Sequence, residues 1–594
     1  MGEHLRKSLA VYAILIIFGI SLCPSSIALK SDVSSNITPI NKCYQNPLLN
    51  WTQQAKILPK NGAAEDCFGQ SVSISGNTAI IGAPYHNFNG SHSGSAYIFT
   101  FVNNTWIQQQ ELHSSDESYD NIFGRSVSID GDTALIGAIY GNGTESYSGA
   151  AYVFTRNGNS WIQQAKLIAS DGQNGDYFGY SVCILNDIAF VGAPSDNDNG
   201  LYSGSVYVFN RTGTVWIEQQ KLLASDGAYA DFFGSSLSLY GNTTLIGCYG
   251  DDDGIGPCAG SAYIFTRSGS TWTQQQRLSA SDAAYNDRFG MSVALTMNTA
   301  LIGSYLDDDN GIDSGSAYVF KFMNNSWTQQ QKLLAHDGAY QDNFGISVAM
   351  NDNYALIGAY SHEDHGSVYV FNKTNSWIQD AEINASHANI GDAFGYSVSL
   401  SGNTSLIGAM FSDDMGDSSG SAYVFKGPNL SPNTPSIKGP TWGIINTGYN
   451  FSSTIIDPSG DTLFCLWDWG DGNVSSWLGP YSSEQTVTLS HNWTQTGTYE
   501  IRLKLKNLHG HESNWSDYHG IQIHELKESF IFGKYLNLTS SNGYYTIQAK
   551  NIWVIQFKPF KILHEISEGK IMFSIKFKGI LTSQSIIGLF IVVK

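Results

Sequence analysis

The sequence predicts an all-β protein: a seven-bladed β-propeller followed by a β-sandwich and a small C-terminal β unit. Two repeated signals, and their loss near residue 430, predict this class. A Phe-Gly pair and a Trp that opens a Gln-rich segment each recur seven times, with steps of 55, 55, 55, 56, 55 and 50 residues. Such a period is typical of a propeller. The Phe residues are Phe68, Phe123, Phe178, Phe233, Phe289, Phe344 and Phe394, and the Trp residues are Trp51, Trp106, Trp161, Trp216, Trp272, Trp327 and Trp377.

Each repeat contains four strand-like runs. In the copy that begins at Phe178, the turn Thr212-Gly213 separates the last two runs, and Gly supplies the positive φ of a tight hairpin. We therefore expect antiparallel pairing. The runs of this copy, rich in β-branched and aromatic residues, are Ser181 to Leu185, Ile188 to Ala193, Ser205 to Phe209 and Trp216 to Leu222.

The order of the runs predicts how the ring closes. The first Trp strand, Trp51 to Leu58, precedes every Phe-Gly pair, and the last Phe-Gly unit, Phe394 to Phe425, has no Trp strand after it. An open ring would expose two unpaired strand edges, which promote aggregation. We therefore expect residues 51–58 to complete the seventh blade of a propeller that spans residues 46–428.

Composition and charge agree with an extracellular β protein. The 594 residues include 61 Gly and only 14% charged residues, and the formal net charge is −20. Nucleic-acid binding requires clustered Lys and Arg, so we do not expect a nucleic-acid partner. The negative charge is compatible with cation binding, and it also favours solubility of a monomer.

The N-terminus has the pattern of an export signal. Arg6 and Lys7 precede an apolar stretch from Leu9 to Cys23, and Ser26-Ile27-Ala28 offers a cleavage site with small residues. We assign residues 1–28 to a signal peptide and 29–45 to a linker, and expect no membrane-spanning segment in the mature, secreted or cell-surface protein. Possible glycan acceptors include Asn36, Asn50, Asn142, Asn210, Asn242, Asn324, Asn384, Asn492 and Asn514.

The cysteines offer one disulfide candidate in the propeller. Cys248 and Cys258 flank one loop at the ends of two adjacent antiparallel runs, so a bond between them is sterically reasonable. Cys43 and Cys67 form a weaker second pair. No CxxC and no Cys/His ligand spacing occurs, so the sequence does not predict a structural zinc site of the Cys/His type.

The repeat resembles a known family. The stretches 123–128 and 133–138 read Phe-Gly-Arg-Ser-Val-Ser and Thr-Ala-Leu-Ile-Gly-Ala, and Gly82 to Pro84 and Gly192 to Pro194 read Gly-Ala-Pro. This pattern is similar to the FG-GAP repeat of integrin-α-type seven-bladed propellers. The resemblance implies a surface or adhesion role, although such repeats also occur in secreted microbial proteins of other kinds.

The family's calcium loop has no counterpart here. Integrin-type repeats commonly carry it between the Phe-Gly strand and the Gly-Ala-Pro strand, where this chain has tight turns such as Ser75-Gly76-Asn77. Acidic residues cluster in the next connection instead. In the loop 307–313, Asp307, Asp309 and Asp313 offer hard oxygen ligands suited to calcium, although the same sequence also suits an ordinary exposed turn.

The sixth repeat departs from the others. Its loop is shortened to Ser361-His362-Glu363-Asp364-His365-Gly366, which accounts for the 50-residue step. Two His and two acidic residues are potential metal ligands. Adjacent residues on a tight loop cannot all point at one ion, however, so a solvated turn is the simpler interpretation.

A second resemblance follows a Pro/Asn-rich linker at residues 429–435. Residues 436–524 contain Trp467-Asp468-Trp469-Gly470-Asp471-Gly472 and Gly497-Thr498-Tyr499, and they are similar to a PKD domain, an immunoglobulin-like β-sandwich. In this motif the aromatic residues would pack the sandwich and Asp-Gly would form a hairpin turn. Residues 525–594 alternate apolar and polar residues and predict a small C-terminal β region.

These features predict an exported, non-catalytic surface scaffold that binds proteins or glycans. No Gly-x-Ser-x-Gly, His-Glu-x-x-His or phosphate-binding loop occurs. A carbohydrate-active hydrolase or lyase is the alternative, since propellers and PKD-like spacers accompany such enzymes, and a structural cell-envelope component is a third. Carboxyl groups ~5–10 Å apart near one ring opening would favour glycoside hydrolysis.

Overall fold

A computed structural model describes residues 51–88, 92–116, 119–252 and 256–525, together with the backbone of strands between 529 and 592. The predicted signal peptide and N-terminal linker lie outside the described residues. The fold class predicted from the sequence is confirmed, because strands account for nearly all regular structure in the described ranges. Within them, one 3-10 turn, His362–Asp364, interrupts the strands.

Seven four-stranded sheets form the propeller, each with the order of a simple antiparallel meander. The strands are β1 (Thr52–Ile57), which belongs to blade 7; blade 1, β2 (Ser71–Ser75), β3 (Thr78–Ala83), β4 (Ser95–Val102) and β5 (Thr105–Leu112); blade 2, β6 (Phe123–Asp130), β7 (Thr133–Ala138), β8 (Ala150–Asn157) and β9 (Ser160–Leu167); blade 3, β10 (Ser181–Leu185), β11 (Ile188–Ala193), β12 (Ser205–Thr212) and β13 (Val215–Leu222); blade 4, β14 (Ser236–Tyr240), β15 (Thr243–Cys248), β16 (Ser261–Ser268) and β17 (Thr271–Leu278); blade 5, β18 (Ser292–Leu295), β19 (Thr299–Ser304), β20 (Ser316–Met323) and β21 (Ser326–Leu333); blade 6, β22 (Phe344–Met350), β23 (Tyr354–Ala359), β24 (Ser367–Lys373) and β25 (Trp377–Ile383); and blade 7, β26 (Phe394–Ser401), β27 (Thr404–Ala409) and β28 (Ser421–Lys426).

The first strand of the chain closes the ring. Strand β1 pairs antiparallel with β28, with Thr52 opposite Lys426 and Ile57 opposite Ala422. Blade 7 therefore has the order β1-β28-β27-β26, which combines segments more than 300 residues apart. This pairing leaves no unpaired strand edge between the first and the last repeat.

The Phe-Gly motif follows from close contact between neighbouring blades. Gly69 has φ +93°, and a Cβ on it would lie 2.4 Å from the Ser421 carbonyl oxygen. The preceding Phe68 is fully buried, and its ring contacts Tyr97 edge-on at 5.5 Å. Glycine is thus required where one blade meets the next, and the Phe fills the space beneath that contact.

A serine on the first strand of each blade also joins it to the next blade. Its hydroxyl donates to the carbonyl of the next Phe-Gly glycine at 2.6–2.8 Å in all seven blades. The seventh bond, from Ser397 to Gly69, crosses the closure of the ring. The donors are Ser71, Ser126, Ser181, Ser236, Ser292, Ser347 and Ser397.

The Gln-rich fourth strands hold the outer parts of the blades together. The Gln220 side chain accepts from the Trp272 backbone N–H at 2.9 Å and donates to the Trp272 carbonyl at 2.8 Å. Gln110, Gln276 and Gln331 bond the next blade's Trp in the same two ways. The repeated Gln residues are therefore explained by blade-to-blade hydrogen bonding, which satisfies backbone groups at the interface.

Residues 436–524 form a sandwich of two sheets with the orders β29-β35-β34-β31-β32 and β30-β33. Trp467, Trp469 and Trp493 are buried in its core around Phe451. Gly470 has φ +75°, and a Cβ there would lie 2.7 Å from the Glu500 backbone, so this motif position requires glycine. The strands are β29 (Trp442–Ile444), β30 (Gly448–Thr454), β31 (Leu463–Asp468), β32 (Leu478–Tyr481), β33 (Thr486–Asn492), β34 (Gly497–Asn507) and β35 (His519–His524).

The C-terminal region contributes two further antiparallel sheets. Their strands are β36 (Ser529–Phe532), β37 (Leu536–Ser541), β38 (Tyr544–Ala549), β39 (Val554–Phe557), β40 (Ile566–Ser567), β41 (Lys570–Phe573) and β42 (Leu589–Val592). Across the described ranges, no helix has the length and apolar character needed to cross a bilayer.

Candidate functional site

Two sets of loops lie on one face of the propeller, which we call the loop face. One set connects the second and third strands of a blade, and the other connects the fourth strand to the next blade. In an antiparallel meander these connections fall at the same end of the sheet. The short hairpins lie at the opposite end. Both the acidic loops and the departures in blades 1 and 6 are on the loop face.

In blade 5 the acidic side chains surround a lysine. The Lys332 ammonium lies 2.8 Å from Asp307, 2.9 Å from Asp282 and 2.6 Å from Asp309. Asp307 is buried, and its carboxylate also accepts from the Tyr318 hydroxyl at 2.8 Å. The chain itself therefore supplies the cation that these three carboxylates share.

This arrangement places the sequence-predicted calcium ligands in two locations. Asp307 and Asp309 meet at Lys332, whereas the Asp313 carboxyl group interacts with Gln341 and with the charges of Asp308 and Arg288. The three residues do not converge on one point. Calcium binding by this loop stays a prediction, and the ammonium group already occupies the place between two of its ligands.

Four other blades repeat this charge pairing. In blade 3, Lys221 lies 2.9 Å from Asp171, 2.7 Å from Asp196 and 2.6 Å from Asp198. The remaining pairs are Lys56 with Asp414 in blade 7, Lys166 with Asp116 in blade 2, and Arg277 with Asp226 and Asp251 in blade 4. The cation always comes from the same place on the fourth strand, one residue before its last apolar side chain.

The ion pairs shift the pKa values of their members. Burial lowers the pKa of Lys332, but hydrogen bonds with Asp307 and Asp309 outweigh burial and raise it above the ordinary value. Burial raises the pKa of Asp282, but hydrogen bonds from Lys332 and Tyr318 outweigh it and lower the pKa. Both groups are thus held in their charged forms at neutral pH.

A second aspartate, near the clusters of blades 3, 4 and 5, has a raised pKa instead of a lowered one. Burial raises the pKa of Asp176, Asp231 and Asp287 to about 6, with nearby acidic residues adding to the effect and a backbone hydrogen bond opposing it. Each of these carboxylates accepts the N–H of the residue three positions earlier, for example Ala228 to Asp231 at 2.6 Å. They fix the turn that joins one blade to the next.

In blade 6 the acidic and the basic positions of this cluster are exchanged. Glu382 takes the place of the lysine, and His362 takes the place of the buried aspartate. His362 Nδ1 lies 3.0 Å from Asp342, while Nε2 lies 4.0 Å from Asp337 and 3.8 Å from Glu382. The hydrogen bond with Asp342 raises the pKa of His362 despite its burial, and the charges of Asp337 and Glu382 add to the rise. Asp337 comes from the loop that joins blade 5 to blade 6.

Blade 1 makes the same exchange with one difference. His86 Nδ1 lies 2.9 Å from Asp66, and Glu111 takes the place of the lysine. Here the position of Asp337 is held by Asn61, whose amide nitrogen lies 3.3 Å from His86 Nε2 and donates to Glu111 at 3.1 Å. In blade 1 the Asn61 amide therefore contacts both the histidine and the glutamate of the cluster.

The cluster of blade 6 combines one residue that we had singled out with two that we had not. His362 lies in the shortened loop, but its partners Asp337 and Glu382 come from two other elements, not from its neighbours Glu363 and Asp364. A signal was present in the sequence. When the repeats are aligned with each other, Lys or Arg becomes Glu on the fourth strand in the two blades that have His in the loop.

Cys248 is a buried free thiol. Its Sγ donates to the Asp231 carbonyl oxygen at 3.1 Å, inside the core between blades 3 and 4. Burial raises the pKa of this thiol well above its ordinary value, so it is protonated at neutral pH. The structure thus does not join Cys248 to Cys258, and the disulfide stays a prediction from sequence.

Exposed tyrosines occupy equivalent places on the loop face. Each lies three residues after the Asp of a joining loop, and their exposed fractions are 65%, 68%, 54% and 64%. Their loops are held in place: the N–H of Gln341, which follows Tyr340, donates to the Ile312 carbonyl at 2.9 Å, and the N–H of Ala339 donates to Asp342 at 2.7 Å. The four tyrosines are Tyr119, Tyr229, Tyr285 and Tyr340.

Aromatic and cationic side chains meet at the ring axis. The Arg125 guanidinium lies 4.6 Å from the Tyr180 ring centre, and Arg288 donates to the Tyr305 hydroxyl at 3.1 Å. Tyr249, which is buried, and Tyr396, which is half-buried, belong to the same group. The sequence places Arg125 and Tyr180 directly after Phe-Gly pairs, and the structure packs them against each other.

A cleft of about 710 Å³ lies at the outer rim between β1 and β5. Trp106, Phe99, Ala55 and Gln54 contribute to its lining. Among the described residues that line it, there is no carboxylate, imidazole or thiol. The cleft therefore lacks the paired acids that glycoside hydrolysis requires.

Family comparisons agree with both parts of the fold. The model of the FG-GAP repeat matches residues 51–99, 106–154, 161–209, 216–265, 272–320, 327–371 and 377–425, and the model of the PKD domain matches residues 432–523. These matches reproduce the seven copies and the sandwich described above. FG-GAP repeats and PKD domains indicate an adhesion or surface-binding role, and both are typical of extracellular proteins.

Individual relatives are more distant. Human integrin alpha-11 is 27% identical over 180 residues, which is 27% of this chain and only 14% of the integrin. The PKD domain of an M14-like peptidase from Thermoplasmatales archaeon SCGC AB-540-F20 is 40% identical, with a TM-score of 0.16, and covers 16% of this chain and 98% of that one. The CARDB domain of the PF1109 protein from Pyrococcus furiosus is 18% identical, with a TM-score of 0.13, and covers 16% of this chain and 96% of that one. With seven matched repeats over more than half of its length, the chain belongs to the FG-GAP repeat family and carries a PKD domain.

Proposed function

We propose that this protein is an exported, non-catalytic scaffold that binds proteins or glycans through the loop face of its propeller. The observation that carries the proposal is the set of exposed tyrosines Tyr119, Tyr229, Tyr285 and Tyr340. They recur at one repeat position and therefore share one face. Aromatic side chains that stand in solvent at equivalent places of a rigid ring form a surface suited to a large partner.

Tyrosine suits such a surface for physical reasons. Its ring contributes a large apolar contact area with few rotatable bonds, and its hydroxyl can hydrogen bond a sugar or a backbone group. The loops need little ordering on binding, because Ala228 and Ala339 donate to the carboxylates of Asp231 and Asp342. A preorganised loop loses less conformational entropy when it binds, so more of the contact energy appears as affinity.

Export is supported by the N-terminal pattern, in which a basic pair precedes an apolar stretch and small residues. The low content of charged residues and the possible glycan acceptors agree with an extracellular location. In this proposal the PKD domain acts as a spacer that holds the propeller away from its point of attachment.

One observation favours the carbohydrate-active alternative. Asp337 and Glu382 place carboxylate oxygens within 4.8 Å of each other, close to the separation found in retaining glycosidases. His362 Nε2 stands beside both of them, however, and Asp337 accepts a hydrogen bond from Tyr369 while Glu382 accepts one from Ser367. Both carboxylates are therefore already held by hydrogen bonds within the blade, so we favour binding without turnover.

Retention and turnover can be measured on the same samples. The purified full chain would be applied to a glycan array and to immobilised extracellular proteins, and incubated with soluble polysaccharides while reducing ends are assayed. We expect retention on at least one surface and no new reducing ends. Release of reducing ends that is abolished by Glu382→Gln would reject the scaffold and establish the enzyme, and absence of retention on every surface would also contradict the proposal.

A further inference from the structure

The cluster in blade 6 lacks the Lys or Arg that five of the other blades supply. In blade 5 the Lys332 ammonium contacts Asp282 and Asp307, whose counterparts in blade 6 are Asp337 and His362. Lys332 itself is replaced by Glu382, so blade 6 loses a positive charge and gains a negative one at the same position. Three carboxylates, those of Asp337, Asp342 and Glu382, then surround one imidazole.

The hydrogen bond of His362 fixes which ring nitrogen is available. Nδ1 lies 3.0 Å from the Asp342 carboxylate, which can only accept, so Nδ1 carries a proton. In the neutral ring, Nε2 then presents a lone pair towards Asp337 and Glu382. The two carboxylates and the Nε2 lone pair are all electron-rich, so they repel one another unless a cation lies between them.

The distances favour a metal ion over a proton as that cation. Nε2 lies 4.0 Å from Asp337 Oδ2 and 3.8 Å from Glu382 Oε1, beyond the usual range of an N–H···O hydrogen bond. No hydrogen bond to Nε2 is formed within the described residues, although His362 is 5% exposed. Ligand atoms of a four-coordinate zinc lie roughly 3.3–3.6 Å apart. The three ligand atoms of blade 6 lie within 4.8 Å of one another, so the two carboxylates would close on the ion by up to about 1 Å, which a change of side-chain rotamer can supply.

The surrounding groups orient all three side chains. Asp342 holds the far nitrogen of His362, the Tyr369 hydroxyl donates to Asp337 Oδ1 at 2.9 Å, and the Ser367 hydroxyl donates to Glu382 Oε1 at 2.9 Å. Carboxylate contact with the second nitrogen of a ligating histidine is a recurrent feature of metal sites. One imidazole and two carboxylates suit a borderline ion of the zinc class better than calcium, which prefers oxygen ligands alone.

We propose that blade 6 binds one divalent ion of the zinc class through His362 Nε2, Asp337 and Glu382. The ion would link the loop after blade 5 to the His362 turn and the fourth strand of blade 6, as the lysine links the equivalent elements elsewhere. Blade 1 provides an internal control. There the Asn61 amide lies beside His86 Nε2 and donates to Glu111, so that cluster is satisfied without an ion.

The test compares equivalent charge changes in the two blades. The full chain would first be treated with a chelator. One sample would then be equilibrated with zinc chloride and desalted, and its zinc content measured by mass spectrometry of the metal. A second sample would be titrated with cobalt(II) while visible absorption is recorded. We expect about one zinc per chain and cobalt absorption typical of a low-coordinate site with a nitrogen ligand. Both signals should survive a millimolar excess of calcium.

Glu382→Lys restores the positive charge found in five blades, as Lys in four and as Arg in one, and should fold with an unchanged melting temperature while it loses the zinc. Glu111→Lys in blade 1 should retain it. Asp342→Asn should weaken zinc binding by about 10–100-fold, the usual cost of removing such an orienting group. Wild-type protein that retains no zinc, or a Glu382→Lys variant that retains as much as wild type, would overturn the proposal.

Discussion

At the scale of single residues, a Lys or Arg on the fourth strand pairs with aspartates of the adjoining loops in five of the seven blades. Lys332 joins an aspartate of the preceding loop to two aspartates of its own blade, and Lys221 does the same in blade 3. Where the lysine becomes glutamate, the buried aspartate becomes histidine. Both partners of the ion pair are therefore exchanged together in blades 1 and 6.

Replacement of Lys332 by Met should destabilise the propeller in a pH-dependent way. Removal of the ammonium leaves the buried Asp307 uncompensated, and we expect a loss of about 3 kcal/mol near pH 7. The pKa of Asp282 is lowered in the folded state, so the stability it contributes is present above its unfolded pKa and is lost as pH falls through the folded value. The raised pKa of Lys332 gives a contribution that is lost only at strongly alkaline pH.

Thermal unfolding of Lys332→Met and wild type at several pH values measures this effect. The difference between them should be largest near pH 7 and should shrink below about pH 4, where carboxylates are protonated. Lys321→Met, at an exposed position of β20 in the same blade, is the matched control and should change stability by less than about 0.5 kcal/mol. Equal destabilisation at pH 3 and pH 7 would contradict the ion-pair explanation.

The Cys248 thiol should resist alkylation in the native protein. It is buried, its pKa is raised, and it donates to the Asp231 carbonyl. Iodoacetamide should modify Cys248 only after the protein is denatured. No reductant should be needed, because the thiol is free. A peptide map that shows Cys248 linked to Cys258 before reduction would instead establish the disulfide suggested by the sequence.

At the scale of elements, the sequence predicts strands well where turns are marked by glycine. In blade 3 the first two predicted runs match Ser181–Leu185 and Ile188–Ala193, whereas the third extends to Thr212 because its hairpin turns only at Gly213. The contacts between the site residues were harder to predict from the sequence. Asp337, His362 and Glu382 lie on separate elements, and only the packing of blade 6 against the preceding loop brings them together.

Gln220 tests the hydrogen bonds that join fourth strands. Gln220→Ala removes both bonds to the Trp272 backbone, and we expect a loss of about 1–2 kcal/mol in the free energy of unfolding. Alanine already occurs at the equivalent Ala165, so the blade should still form. Gln275→Ala is the control, because the Gln275 side chain hydrogen bonds Thr273 on its own strand instead of the next blade. Similar denaturation midpoints for the two variants would show that the interface bonds contribute little.

The closing strand should be essential for a soluble propeller. Deletion of residues 46–60 removes β1 and exposes the edge of β28, so we expect aggregation in size-exclusion chromatography and a lower melting temperature. Deletion of residues 29–45 alone leaves β1 in place and serves as the control. A truncated protein without residues 46–60 that stays monomeric with an unchanged melting temperature would disprove the role of β1 in closure.

At the scale of the whole molecule, sevenfold repetition separates structure from function. The positions shared by all blades, such as the Phe-Gly pair and the serine that bonds the next blade, are explained by packing between blades. The exposed tyrosines, in contrast, recur in four blades with more than half of each side chain in solvent. We therefore propose the loop face as the binding surface, and the rim supplies a matched surface for comparison.

The central claim is that this loop face binds the partner, and exchange of exposed residues on two surfaces tests it most directly. Tyr119, Tyr229, Tyr285 and Tyr340 would be changed together to Ser in one variant. In a second variant, four isoleucines exposed on the fourth strands at the rim would be changed to Ser: Ile107, Ile162, Ile217 and Ile378. Binding to the glycans, proteins or cells that retain wild-type protein would then be measured by biolayer interferometry. The loop-face variant should lose affinity by about tenfold or more, because aromatic residues dominate binding energy at such surfaces, and the rim variant should bind like wild type. Unchanged affinity of the loop-face variant, or an equal loss in both, would contradict the claim.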